Sequence, residues 1–98
     1  MNEGQAEPEV VMNEAARRFE IRDGSDLAVL EYRRKGADQL ILTHTGVPHQ
    51  LEGKGVAAHL VRAALEHARR QQLRVVPLCS FVRAYLRRHP EFADLVDG

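Results

Sequence analysis

The sequence predicts a mixed α/β (α+β) domain: an antiparallel meander of three to four strands, a strand–helix–strand crossover, and a closing helix. Three observations predict it. Short stretches of alternating apolar and polar residues recur between positions 10 and 47, separated by tight-turn residues. A glycine-punctuated turn over Gln50–Ala57 then opens a run with the helical period of about 3.6 residues. A short run rich in β-formers follows, with a second amphipathic stretch behind it.

In chain order, residues 1–9 are polar, carry Gly4 and Pro8, and show no periodicity, so they read as a disordered tail ahead of a single domain over residues 10–98. Val10–Asn13 is a short edge strand. Arg17–Arg22 alternates, with Phe19 and Ile21 on one face. The turn Asp23-Gly24-Ser25-Asp26 leads into Leu27–Arg34, with Ala28, Leu30 and Tyr32 on one side. Lys35-Gly36-Ala37-Asp38 turns the chain again into Gln39–Val47. Tight turns between these runs imply an antiparallel meander. Pro48 ends the third long strand because it lacks an N–H.

The helix from about Val56 to Gln72 is the strongest local signal. Ala57, Leu60, Val61, Ala64, Leu65 and Ala68 share one face, while His59, Arg62, Glu66, Arg69 and Arg70 share the other. Arg74–Cys79 reads as a buried strand. A right-handed crossover places it parallel to Gln39–Val47. Pairing is expected to lapse at Pro77, leaving a gap where the two strands part, at the end of the sheet where open α/β sheets bind ligands. Ser80–Arg88 is a second helix with Ser80 as N-cap and Phe81, Ala84, Tyr85 and Arg88 on one face. His89-Pro90 stops it, and Glu91–Val96 is one more helical turn.

The glycine turn carries the first functional signal. Gly53 and Gly55 lack Cβ atoms, so the backbone can pass close to a ligand. The helix that follows presents unpaired amides and the positive end of its dipole, which suits a phosphate. The charge distribution agrees. The net charge is zero, but residues 54–88 hold eight basic side chains and one acidic, Glu66, whereas residues 1–53 hold six basic and ten acidic. A polyanionic ligand fits that asymmetry, and so does a solvated arginine-rich helix face.

Several classes are excluded or disfavoured. No stretch approaches the roughly 20 apolar residues of a membrane span. The single cysteine permits no internal disulfide and fits a reducing cytoplasm, the expected location. No Cys/His spacing suggests a metal site. Nucleic-acid binding is disfavoured because the few aromatics are not interleaved with the basic residues.

The pattern Gln50-x-x-Gly53-x-Gly55-x-Ala57, between a strand with its proline and an amphipathic helix, resembles the phosphate-binding signature of the GNAT superfamily of acyl-CoA-dependent N-acetyltransferases. The runs His44-Thr45-x-Val47-Pro48, Pro77-x-Cys79-x-Phe81-Val82 and Tyr85-x-x-Arg88-His89-Pro90-Glu91-Phe92 resemble a branch of small GNAT-like proteins of about one hundred residues. The likeness covers roughly residues 15–96. It implies a reduced GNAT-like fold and acetyl-CoA as cosubstrate. Gln50, Leu51, Glu52, Gly53, Lys54, Gly55, Val56 and Ala57 would form the cofactor-binding turn, with the pyrophosphate on the amides of about Leu51 through Val56, and the pantetheine arm would lie between the splayed strands. Lys54, Arg83, Arg87 and Arg88 are candidates for the adenosine phosphates. Larger superfamily members build an acceptor pocket from helices after the first strand and from later strands. Only short turns join the first strands here, so the acceptor site is absent, open, or completed by another molecule.

Acetyl transfer to an amine needs a base, donors for the thioester carbonyl and an acid for the leaving thiol. Tyr85 matches the superfamily tyrosine proposed as the acid, or is a core tyrosine. Cys79 ends the second parallel strand beside a helix N-terminus, where a thiol gains thiolate character and becomes a nucleophile, or it is an inert buried thiol. His44, near the end of the third strand, is a candidate base; it is read on the same face as Leu40 and Leu42, where a core histidine is the alternative. Two functions remain: an N-acetyltransferase acting on an unidentified amine, and a non-catalytic CoA-binding or sensing module that works through a partner.

Overall fold

The computed structural model describes residues 8–97. Most of the stretch read as a tail, residues 1–7, lies outside the described residues. Five strands form one sheet in sequence order: β1 (Val11–Asn13), β2 (Arg18–Asp23), β3 (Asp26–Lys35), β4 (Gln39–Gly46) and β5 (Arg74–Pro77). The first four run antiparallel and β4 pairs with β5 in parallel. Between them runs α1 (Val56–Gln71), and α2 (Ser80–Arg88) follows β5.

The core follows the alternation of the sequence. Phe19, Ile21, Ala28, Leu30, Tyr32, Leu40 and Leu42 project from the sheet and are buried against Leu60, Val61, Ala64, Leu65 and Ala68 of α1. Small residues at Ala64 and Ala68 let the helix lie close on the strands. Val56 is buried in the first turn of α1, whereas Ala57 is only partly covered. Gln72 ends the helix in the left-handed region (φ 58°), its amide bonded to Ala68 and Arg69 carbonyls.

Two expectations need correction. The helix α2 starts at Ser80, but its N-cap is Cys79, in extended conformation (φ −83°, ψ 133°). Its fully buried residue is Val82, while Phe81 is 41% exposed. The second correction concerns β4. Glu31 pairs with His44 and Tyr32 with Leu42, so Thr43 has no partner and forms a bulge. One extra residue exchanges the faces beyond it. His44 therefore leaves the face of Leu40 and Leu42 and is exposed, and Thr45, opposite Leu30, takes the inner face instead.

The C-terminal segment closes the outer edge of β5. Pro90–Leu95 forms a 3-10 helix, Val96 bridges Val75 in parallel, and the Asp97 amide donates to the Val75 carbonyl (2.8 Å). Two arginines hold it. Arg69 donates to both Asp94 carboxylate oxygens (3.0 Å each), and Arg74 donates to the carbonyls of Asp94 and Val96 (2.7 Å each).

Candidate active site

The β4/β5 ladder ends where Pro77 runs out of donors. Its last pair is Leu42 with Pro77, and the Leu78 and Cys79 amides both aim at the Leu42 carbonyl (3.0 and 3.2 Å) as the chain turns away. Strand β4 continues past β5 over Thr43–Gly46, still paired with β3 on its other edge. The splay opens a cleft of about 680 Å³, lined on one side by His44, Thr45 and Val47, and on the other by Cys79, Ser80 and Phe81. The glycine turn and the start of α1, through Leu51, Glu52, Gly53, Gly55, Val56, Ala57 and Ala58, close its end.

That turn is built for exposed amides. Gly53 and Gly55 adopt φ of 81° and 74°, a region that strongly favours glycine, and a Cβ on either would meet no protein atom within 4 Å. The left-handed conformation, not crowding, is therefore what requires glycine there. Gly55 is the N-cap of α1, and the His59 amide donates to its carbonyl (3.1 Å). The amides of Val56, Ala57 and Ala58 find no acceptor among the described residues, and no acidic side chain sits in that first turn. Their positive field points into the cleft. Gln50 and Lys54 are exposed but do not line it.

Cys79 stands at the second helix N-terminus that borders the cleft. Its Sγ lies 3.3 Å from Thr45 Oγ1. Burial pushes the thiol up, but the Thr45 hydroxyl and the nearby Val82 and Phe81 amides outweigh it and hold the thiol below its ordinary value. Those amides act by proximity; they close no capping hydrogen bond to the sulfur. His44 stands exposed at the edge of the same cleft, on the opposite face of the sheet from α1.

Tyr85 is elsewhere. It faces a separate depression of about 390 Å³ between the helices, with Arg62, Glu66, His89, Glu91 and Phe92. Its ring stacks on His89 at 4.0 Å, and burial pushes its phenol up. The structure thus brings Cys79 and His44 to one cleft with six of the eight turn residues singled out, and leaves Tyr85, Gln50 and Lys54 off its walls. The Arg83 guanidinium is already engaged, donating to the Pro77 and Leu78 carbonyls (3.2 and 2.7 Å). Sequence reasoning missed Thr45 and Phe81 as cleft residues. Both lie inside runs that carried the family resemblance, but only the bulge tells which way Thr45 points. Among the described residues no group of His, Cys, Asp or Glu could hold a metal ion.

A meander running into a splayed parallel pair, with a glycine turn and helix N-terminus at the split, defines the GNAT-like class of acetyltransferase folds. The chain belongs to the GCN5-related N-acetyl-transferase family, which matches residues 18–95. It is similar to the NATD1 protein of Xenopus tropicalis, 33% identical over 76 residues that cover 76% of this chain and 70% of that one. The mouse NATD1 protein is 34% identical over 76 residues, covering 76% and 69%. The solution structure of a GCN5-like protein from Staphylococcus aureus matches with a TM-score of 0.72 at 31% identity, over 96% of this chain and 92% of that one.

Proposed function

We propose that the protein binds acetyl-CoA in the cleft between β4 and α1 and transfers its acetyl group to an amine. The observation that carries this reading is the convergence of two helix N-termini on the place where β4 outruns β5, with a thiol on the wall. The residues present fit the cosubstrate. Free amides at Val56, Ala57 and Ala58, beside the turn at Gly53 and Gly55, suit a diphosphate. The unpaired β4 edge over Thr43–Gly46 offers backbone groups to an extended amide-bearing arm. The cleft volume falls within the roughly 300–1,000 Å³ usual for small-molecule sites.

Acetyl-CoA supplies an acetyl group activated as a thioester. Cys79 Sγ attacks the acetyl carbonyl, a new S–C bond forms as the old one breaks, and the proton released by Cys79 goes to the departing thiol. No separate acid is needed for that step, so Tyr85 has no part in it. His44, at the cleft edge on the outer face, takes the proton of the amine that then attacks S-acetyl-Cys79; the amide C–N bond forms as the C–S bond to Cys79 breaks, and the proton passes to the departing Cys79 sulfur, which restores the thiol. Both helices pack on the other face of the sheet, which leaves the acceptor an open approach. That openness is also what favours the second reading, a CoA-binding module completed by a partner.

Mass spectrometry of the protein mixed with acetyl-CoA tests the proposal, alone and with a panel of primary amines. One added acetyl group on Cys79, lost in Cys79→Ala and discharged by an amine, is expected. Binding of acetyl-CoA with neither self-acetylation nor transfer to any amine would favour the non-catalytic module.

A further inference from the structure

The inner face of β4 is apolar apart from one residue. Leu40 and Leu42 are fully buried there, and Val47 packs against the core just beyond the strand. Thr45 is the exception. The bulge at Thr43 turns it inward, and its Oγ1 lies 3.3 Å from Cys79 Sγ, across the mouth of the splay. A valine has nearly the same shape and would leave no polar group to satisfy in that half-buried position. As a bond between neutral groups the contact is poor, because a thiol is a weak donor and a weak acceptor. A thiolate is a strong acceptor, so the hydroxyl gains most when the sulfur is ionised.

We infer that Thr45 is a positioning residue for the covalent step: its hydroxyl fixes the Cys79 sulfur at the parting of β4 and β5 and donates to it once the proton has left. This inference rests on the reading of Cys79 as nucleophile. In the step, the thiolate forms its bond to the acetyl carbon, the CoA–S bond to that carbon breaks, and the CoA sulfur ends with the proton that Cys79 lost. The direction in which the Cys79 thiol is held agrees, with the Thr45 hydroxyl the foremost group opposing the effect of burial. The other charged or titratable groups that face the sulfur's surroundings are His44 on β4, Glu52 in the turn and Arg83 on α2, the last committed to the Pro77 and Leu78 carbonyls.

The test is the rate of Cys79 alkylation by iodoacetamide as a function of pH, on the full chain without acetyl-CoA, for wild type, Thr45→Val and Thr45→Ser. The valine variant is expected to move the midpoint up by about one pH unit, the shift that loss of one hydrogen bond to a charged group gives. The serine variant keeps the hydroxyl and is expected to titrate with the wild type. Should Thr45→Val fail to fold, Thr45→Ala is measured in its place, with the same expectation. A midpoint unmoved by removal of the hydroxyl would overturn the inference. Self-acetylation by acetyl-CoA, measured in parallel, separates the two layers. A wild type that never self-acetylates refutes the covalent reading even where the midpoint moves, whereas an unmoved midpoint in a self-acetylating protein refutes the role of Thr45 alone.

Discussion

Gly55 holds φ at 74° with open space where a Cβ would stand, so an alanine there strains the backbone without meeting a wall. Gly55→Ala is expected to cost about 1–2 kcal/mol of stability, the penalty of the left-handed region, and to weaken acetyl-CoA binding through the displaced amides of Val56 and Ala57. Urea unfolding and ligand titration of the same variant check both. Leu65 is fully buried beneath the sheet, and Leu65→Ala is expected to cost about 2–5 kcal/mol without altering the cleft lining. Cys79→Ala should keep acetyl-CoA binding and lose self-acetylation. At this scale the sequence was legible wherever composition implied conformation. Gly53 and Gly55 announced their turn, and Cys79 announced a thiol beside a helix start. Tyr85 did not announce its surroundings, because the residues it meets, His89 across a stack and Arg62 and Glu66 on α1, are brought there by helix packing.

Among the elements, β4 shows most clearly what alternation can and cannot say. Phe19 and Ile21, then Ala28, Leu30 and Tyr32, alternate without interruption, and all five are buried as the pattern requires. The run Leu40 to Thr45 is equally rich in β-formers, and a bulge within it changes no composition. The unpaired Thr43 nevertheless reverses every side chain after it, which moves His44 out and Thr45 in. On the outer face of β2, Arg18 Nε donates to Glu20 (2.6 Å), and Asn13 donates to the same oxygen (3.0 Å). The Arg18 hydrogen bond, then that of Asn13, holds the Glu20 carboxyl below its ordinary value of 4.5. A lowered carboxyl stabilises the fold fully above its unfolded value and ceases to do so as pH falls through the folded one. Stability should therefore decline below about pH 4.5, and Glu20→Gln, already without that contribution at pH 7, should decline less steeply. Urea midpoints measured from pH 7 to pH 3 decide it.

For the whole molecule, the layout is one sheet with both helices on one side, the cleft at the end of the parallel pair, and a C-terminal segment clasped to the outer edge of β5. The crossover from β4 through α1 to β5 follows from chain connectivity, and Pro77 marks the limit of pairing, so the cleft's location was legible from sequence. The C-terminal clasp was not: Arg69 and Asp94 lie 25 positions apart, and neither residue type singles out its partner. Asp94→Asn is expected to speed hydrogen exchange at the Asp97 amide, which bonds Val75, more than at the amides of β3. If the cleft binds acetyl-CoA, ligand at one hundred times its dissociation constant adds about 2.7 kcal/mol to stability, a rise on the order of 10 °C in Tm for a domain of this size. The most direct measurement is a titration of the labelled protein with acetyl-CoA, followed by the backbone amide signals. The account requires Gly53, Gly55 and Val56 to shift together with Thr45 and Cys79, while Tyr85 and the residues of β1 stay still. Signals at Gly53 and Gly55 that do not move at millimolar acetyl-CoA, or shifts confined to the depression around Tyr85, would contradict it.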